Sequence, residues 1–106
     1  MLVNFTLEEA PMGSLLRGWS GERQFRCAVA GTERLQSVEL IRNNEIVATV
    51  TPGGMTFTGT IDDSEPLDGL LLEPAREMTH PFAFYYLRVT QVDGHQAWTS
   101  PIWTTS

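Results

Sequence analysis

Residues 82–103, FAFYYLRVTQVDGHQAWTSPIW, carry the clearest indication of the fold in this chain. Apolar and polar side chains alternate on both sides of Asp93-Gly94, which is the pattern of two β-strands joined by a two-residue type I′ turn. In that register Val89 lies opposite Trp98, Leu87 opposite Ser100 and Tyr85 opposite Ile102. One face is then apolar and we expect it to form part of a core: Tyr85, Leu87, Val89, Trp98 and Ile102.

The other face of this hairpin carries a second aromatic set, together with Thr99: Phe84, Tyr86, Arg88 and Trp103. A solvated sheet face is usually richer in charge and threonine, so we identify these four residues as a candidate interaction surface. Three possibilities remain for what packs on this surface. A neighbouring protein domain is favoured, carbohydrate stacking on the aromatic rings is the alternative, and the irregular segment 62–81 of the same chain is a third.

The same alternation elsewhere in the chain predicts strands at about 2–8, 23–30 and 56–62. A second hairpin spans 35–51 with Asn43-Asn44 at its tip, where Arg42 faces Glu45, Ile41 faces Ile46 and Leu40 faces Val47. Seven to eight short antiparallel strands indicate one all-β domain over 1–106, an immunoglobulin- or fibronectin-III-like β-sandwich. The spacing Tyr85-x-Leu87 fits the strand that follows a tyrosine corner.

The charge of the chain excludes several functions. The formal net charge is −6, and all seven basic residues are arginines scattered along the 106 residues. Without lysine there is no Schiff base and no phosphate-loop lysine. Without a basic cluster we expect no nucleic-acid partner. No apolar run approaches the length of a membrane helix, so we expect no membrane partner either.

Cys27 is the single cysteine, so the chain forms no disulfide within itself. It alternates in phase with Phe25 and Val29, which predicts a buried core position. A nucleophilic Cys27 would need His80 or His95 as its base. The lack of a disulfide and of a signal peptide slightly favours the cytoplasm, although an excised domain would hide a signal.

The residues that could carry catalysis are sparse. The two histidines have no second ligand at a fixed spacing, and the carboxylates of 62–68 lack the order of a calcium loop. We therefore expect no metal, no cofactor and no enzymatic activity in this chain. The enzyme alternative is a cryptic hydrolase that uses His80 or the 62–68 carboxylates.

The stretch 84–103 also resembles the C-terminal end of bacterial metal-dependent hydrolases related to the polymerase and histidinol phosphatase (PHP) domain. The carrying motif is Trp98-Thr99-Ser100-Pro101-Ile102-Trp103, and the hairpin around 38–47 is similar, with Asn44 where that family has glycine. The resemblance implies a β-sandwich appended to a PHP-like catalytic domain, its partner in cis or in trans. It implies no active-site residue here, because none of the matching positions is catalytic in that family.

Overall fold

A computed structural model describes residues 1–16, 22–65, 72 and 82–105. All regular structure in these ranges is β-strand. The strands are β1 (Leu2–Leu7), β2 (Ala10–Pro11), β3 (Leu15–Leu16), β4 (Arg23–Ala30), β5 (Leu35–Arg42), β6 (Glu45–Val50), β7 (Thr56–Asp63), β8 (Phe82–Gln91), β9 (Gln96–Trp98) and β10 (Ile102–Thr105). Three of them have only two or three residues, so seven main strands remain, as the alternation predicts.

The strands form two sheets. One has the order β2-β1-β4-β7, and the other has the order β3-β10-β8-β5-β6, with β9 also paired to β8. β6 stays beside β5 rather than crossing to pair with β7, which distinguishes this sandwich from the antibody constant domain and gives it the fibronectin-like arrangement. The pairs among the seven main strands are all antiparallel, as predicted, and the two-residue β3 adds one parallel pair with β10.

The core lies between the sheets and is built by period-two alternation. On β4 every second side chain from Arg23 to Val29 is buried, and on β8 the buried set runs from Ala83 to Gln91. Phe25 joins the two sheets, since its ring centroid lies 5.2 Å from that of Phe5 and 4.6 Å from that of Tyr85. The predicted burial of Cys27 is confirmed at 2% exposure.

The hairpin of β5 and β6 follows the prediction at its tip. Asn43 and Asn44 have φ of 52° and 68°, as a type I′ turn requires. The pairs Arg42–Glu45 and Ile41–Ile46 are confirmed, but Leu40 pairs with Ala48. Val47 is the extra residue of a β-bulge, which shifts the rest of the register by one.

The register predicted for the last hairpin is wrong near its turn. The backbone N–H of Gln91 donates to the carbonyl of His95 over 2.9 Å, and Gly94 has φ of 89°. The loop therefore has three residues, Val92 to Gly94, with the glycine in the left-handed region. Each predicted partner moves by one, so that Val89 pairs with Ala97.

Trp98 consequently lies opposite Arg88 on the outer face and is 58% exposed, not a core residue. Leu87 faces Thr99 instead of Ser100. Thr99 is buried, and its hydroxyl accepts a hydrogen bond from the N–H of Leu87 over 3.0 Å. An extra residue at Ser100-Pro101 then restores the predicted pair Tyr85–Ile102.

Candidate interaction surface

The four residues of the candidate surface lie on the outer face of the sheet that contains β8. Phe84, Tyr86 and Arg88 alternate with buried neighbours along β8, and Trp103 of β10 pairs with Phe84. All four are half-buried. The structure thus brings together the residues that the sequence singled out, on one continuous face.

Strand pairing extends this face into an apolar band that crosses all five strands of the sheet path. Leu15 of β3 pairs with Trp103, while Ile41 of β5 lies between Tyr86 and Ile46 of β6. The Phe84 and Tyr86 rings stack with centroids 6.4 Å apart. This stacking connects the residues paired around Phe84 with those paired around Tyr86. We call this set the aromatic strip: Leu15, Trp103, Phe84, Tyr86, Ile41 and Ile46.

Exposure varies across the strip. Ile41 is 3% exposed although its strand partners, Tyr86 and Ile46, place it on the outer face. By contrast, Leu15 at one border is 40% exposed and Ile46 at the other is 52% exposed. The strip therefore has a packed centre and apolar borders that remain in contact with solvent.

Polar groups flank the strip, both toward β9 and at the turn between β5 and β6. The guanidinium of Arg88 donates two hydrogen bonds to the carboxylate of Glu39, at 2.9 and 3.1 Å, and this pairing raises the pKa of Arg88. The hydroxyl of Tyr86 donates to the side-chain oxygen of Asn44 over 3.3 Å. Trp98 stands beside Arg88, which adds one exposed indole that the sequence analysis did not place here.

A second unusual region lies inside the sandwich. Arg23 is fully buried, and its Nε donates to the hydroxyl of Tyr85 over 2.9 Å. Asp63, 6% exposed, accepts from the Tyr85 hydroxyl at 2.7 Å and from Arg42 at 2.9 Å. Arg23 also donates to the carbonyl of Glu65. We call four of these residues the buried network: Arg23, Arg42, Asp63 and Tyr85. The exposed carboxylate of Glu65 lies 3.5 Å from Arg42 at its border.

Electrostatics inside the buried network favour its charged, fully bonded form. Burial alone would raise the pKa of Asp63, but hydrogen bonds from Tyr85 and Arg42 outweigh it and hold that pKa below its usual value. Burial and the hydrogen bond to Asp63 raise the pKa of Tyr85. The Tyr85 hydroxyl thus bonds to the side chains of Arg23 and Asp63, whereas the hydroxyl of a tyrosine corner bonds to the backbone a few residues upstream, so the corner stays a prediction.

Sequence reasoning missed this network, although the signal was present. Arg23 alternates in phase with Phe25 and Cys27, so the period of β4 already places it on the core face. Asp63 follows Ile61 by two residues in the same way. An arginine and an aspartate in phase with core residues on neighbouring strands indicate a buried ion pair.

The residues considered for catalysis are dispersed. His95 is exposed, and its Nδ1 lies 3.2 Å from Asp93 in the hairpin loop. Asp62 is exposed, while Asp63 belongs to the buried network. Within 1–16, 22–65, 72 and 82–105, no group of three or more His, Cys, Asp or Glu side chains could hold a metal ion. His80 and positions 66–68 lie outside the described residues.

Burial also decides the chemistry of Cys27. Loss of solvation raises the pKa of its thiol to about 12, so the thiolate needed for nucleophilic attack is scarce at neutral pH. In the part of the chain that the structure describes, no helix is long and apolar enough to cross a membrane.

Comparison with known proteins finds three chlamydial relatives. The chain is 44% identical over 108 aligned residues to an uncharacterized protein of Chlamydia trachomatis, and 41% identical to uncharacterized proteins of Chlamydia pneumoniae and Chlamydia muridarum. Each alignment covers 97% of this chain but 17% of the relative, so the chain spans about one sixth of the length of the curated relatives it matches. No protein-family profile and no solved structure matches.

Proposed function

We propose that this sandwich is a non-catalytic accessory module that docks through the aromatic strip onto another domain of a longer polypeptide. The observation that carries the proposal is the strip itself, in which apolar side chains of five strands meet on an outer sheet face. Aromatic side chains with a polar border are the composition of protein interfaces.

The lengths of the relatives support an occupant within the same polypeptide. Nearly the whole chain aligns with one sixth of the Chlamydia trachomatis relative. In that arrangement the segment is covalently linked to neighbouring domains. Such a neighbour is held at high effective concentration, so a modest apolar face suffices for docking. The resemblance of 84–103 to the PHP-related hydrolases suggests the class of neighbour, a metal-dependent hydrolase domain.

The test measures association of the 106-residue chain with the PHP-like domain of its own parent polypeptide by calorimetry. Tyr86→Ser combined with Trp103→Ser removes the centre of the strip, and we expect the dissociation constant to rise at least tenfold. The matched control is Leu2→Ser with Met55→Ser, two exposed apolar residues outside the strip, which should change it less than twofold.

Folding is checked separately, because the strip also packs against itself. Ile46→Ser alters only an exposed border residue and should weaken association while leaving the urea unfolding midpoint nearly unchanged. If both strip variants bind as wild type does, docking through the strip is wrong. The same holds if the double variant loses its fold and Ile46→Ser leaves association unchanged, since the aromatics then serve packing.

Carbohydrate binding is the second candidate function, and the exposed Trp98 favours it. An indole beside the Arg88–Glu39 pair offers a stacking surface next to hydrogen-bonding groups. Titration of oligosaccharides against tryptophan fluorescence tests it. Saturable quenching that disappears in Trp98→Ala supports sugar binding, and a flat titration excludes it for the sugars used.

A further inference from the structure

The sheet edges of the sandwich differ in how they are protected against pairing with another chain. β2 and β3 have two residues each, and β2 contains Pro11, which has no N–H to offer. β6 contains the bulge at Val47, which twists its edge. β7 has eight residues in regular register with β4, with neither proline nor bulge. Among the described strands, β7 is the long, unprotected edge.

Hydrogen bonding defines which groups this edge presents. The N–H of Gly31 donates to the carbonyl of Met55 over 2.8 Å, so the backbone of Met55 points toward β4. The direction alternates along a strand. Starting with the next residue, the backbone N–H and C=O groups of alternate residues therefore point away from β4. These residues are Thr56, Thr58, Thr60 and Asp62. No described strand pairs with them on that side.

We infer that β7 pairs antiparallel with β7 of a second copy of this chain, which joins two four-stranded sheets into one. A two-fold axis at Gly59 uses all four outward-facing residues at once. Thr58 then lies opposite Thr60 of the other copy, and Thr56 lies opposite Asp62. The two-fold axis repeats each of these pairs, so there are four pairs. Each contributes two backbone hydrogen bonds, about eight in total.

Side chains in this register are compatible on both faces. On the inner face Phe57 meets Ile61 of the other copy, a pairing of an aromatic with a β-branched residue, which stabilises sheets. On the outer face threonine meets threonine, and Asp62 meets Thr56 instead of another carboxylate. Like charges directly opposite each other are thereby avoided, although each chain carries a net charge of −6.

This edge belongs to the sheet that does not carry the aromatic strip. Self-pairing and docking through the strip thus use separate surfaces. The inference is independent of the proposed function, and either can fail without the other.

The first test follows the mass of the 106-residue chain by sedimentation from low micromolar to millimolar concentration. We expect a monomer–dimer transition. Thr60→Pro removes an outward-facing N–H without breaking a bond to β4 and should abolish the dimer, whereas Thr60→Val retains that N–H and should preserve it. A monomer at every concentration, or an undiminished dimer in a folded Thr60→Pro variant, overturns the inference.

The second test needs no variant and covers the case in which Thr60→Pro does not fold. Amide hydrogen exchange of the wild-type chain is measured at both ends of the concentration range. The amides of Thr58 and Thr60 should exchange at least tenfold more slowly in the dimer, while those of Gly59 and Ile61, bonded to β4, are protected throughout. Fast exchange of Thr58 and Thr60 in the dimer, or equal protection already in the monomer, contradicts pairing at this edge.

Discussion

Two regions of this domain depart, in opposite directions, from the rule that apolar side chains lie inside and polar ones outside. The buried network places two arginines and an aspartate between the sheets. The aromatic strip places aromatic and aliphatic side chains on an outer face. The network is complete within the chain, because its charged groups bond to one another. The strip is incomplete, because its borders end in solvent.

This difference separates a region whose contacts are made within the domain from one whose apolar area is left exposed. The charged groups of the buried network bond to one another and connect the end of β7 with strands of both sheets. Their burial is therefore explained within the domain. Exposed apolar area at the borders of the strip gains nothing inside the isolated domain. We therefore expect the network to serve folding and propose the strip for recognition. Three measurements test the network, the rest of the core and the outer face beside the strip.

The largest effect is expected at Asp63. Asp63→Ala leaves Arg23 and Arg42 buried without their shared carboxylate, and removal of one partner from a buried pair costs about 3–5 kcal/mol of unfolding free energy. The adjacent Asp62 is exposed, so Asp62→Ala should change stability by no more than about 0.5 kcal/mol. Urea denaturation of both variants measures the difference. Equal values would show that the network does not anchor the sheets.

Alkaline pH provides an intermediate effect on the buried side. The thiol of Cys27 ionises near pH 9.0 when unfolded but near 12 when folded, so its stabilising contribution is complete below pH 9 and decreases above it. The expected slope is about 1.4 kcal/mol of unfolding free energy per pH unit. Tyr85, whose pKa is also raised, adds to the loss above its ordinary value of 10.0.

Cys27→Ala isolates the thiol contribution. It should reduce the dependence of stability on pH most strongly just above pH 9, where the unfolded thiol titrates and an unfolded tyrosine, with an ordinary pKa of 10.0, is still mostly protonated. Denaturation midpoints at a series of pH values provide the measurement, and an unchanged slope in the variant would show that Cys27 is accessible to solvent. Rapid reaction of the native thiol with a labelling reagent would contradict its burial in the same way.

Much of the fold follows from the sequence because period-two alternation reports burial directly. It predicts the long strands, the core position of Cys27 and the shared face of Phe84, Tyr86 and Trp103. The tip of the β5–β6 hairpin follows as well, since asparagine tolerates the positive φ of a type I′ turn.

What the sequence does not predict is the placement of single extra residues. Asp93-Gly94 fits both a two-residue turn and a three-residue loop that ends in a left-handed glycine, and the hydrogen bond from Gln91 to His95 decides between them. The bulge at Val47 has no glycine or proline beside it that would mark it in the sequence. The extent of the strip is a tertiary property too, because Leu15 joins it through a parallel pair between distant segments.

The smallest effect is expected at Trp98. Because the three-residue loop turns this side chain outward, Trp98→Ala should cost less than about 1 kcal/mol of unfolding free energy, against about 3–5 kcal/mol for emptying a large aromatic core site. Leu87→Ala in the adjacent strand is the control, since Leu87 is fully buried and its loss should cost about 2–5 kcal/mol. A cost for Trp98→Ala as large as that for Leu87→Ala would mean that aromatic residues of the outer face pack within the domain. The contrast between the buried network, which is complete within the domain, and the exposed borders of the aromatic strip would then be wrong.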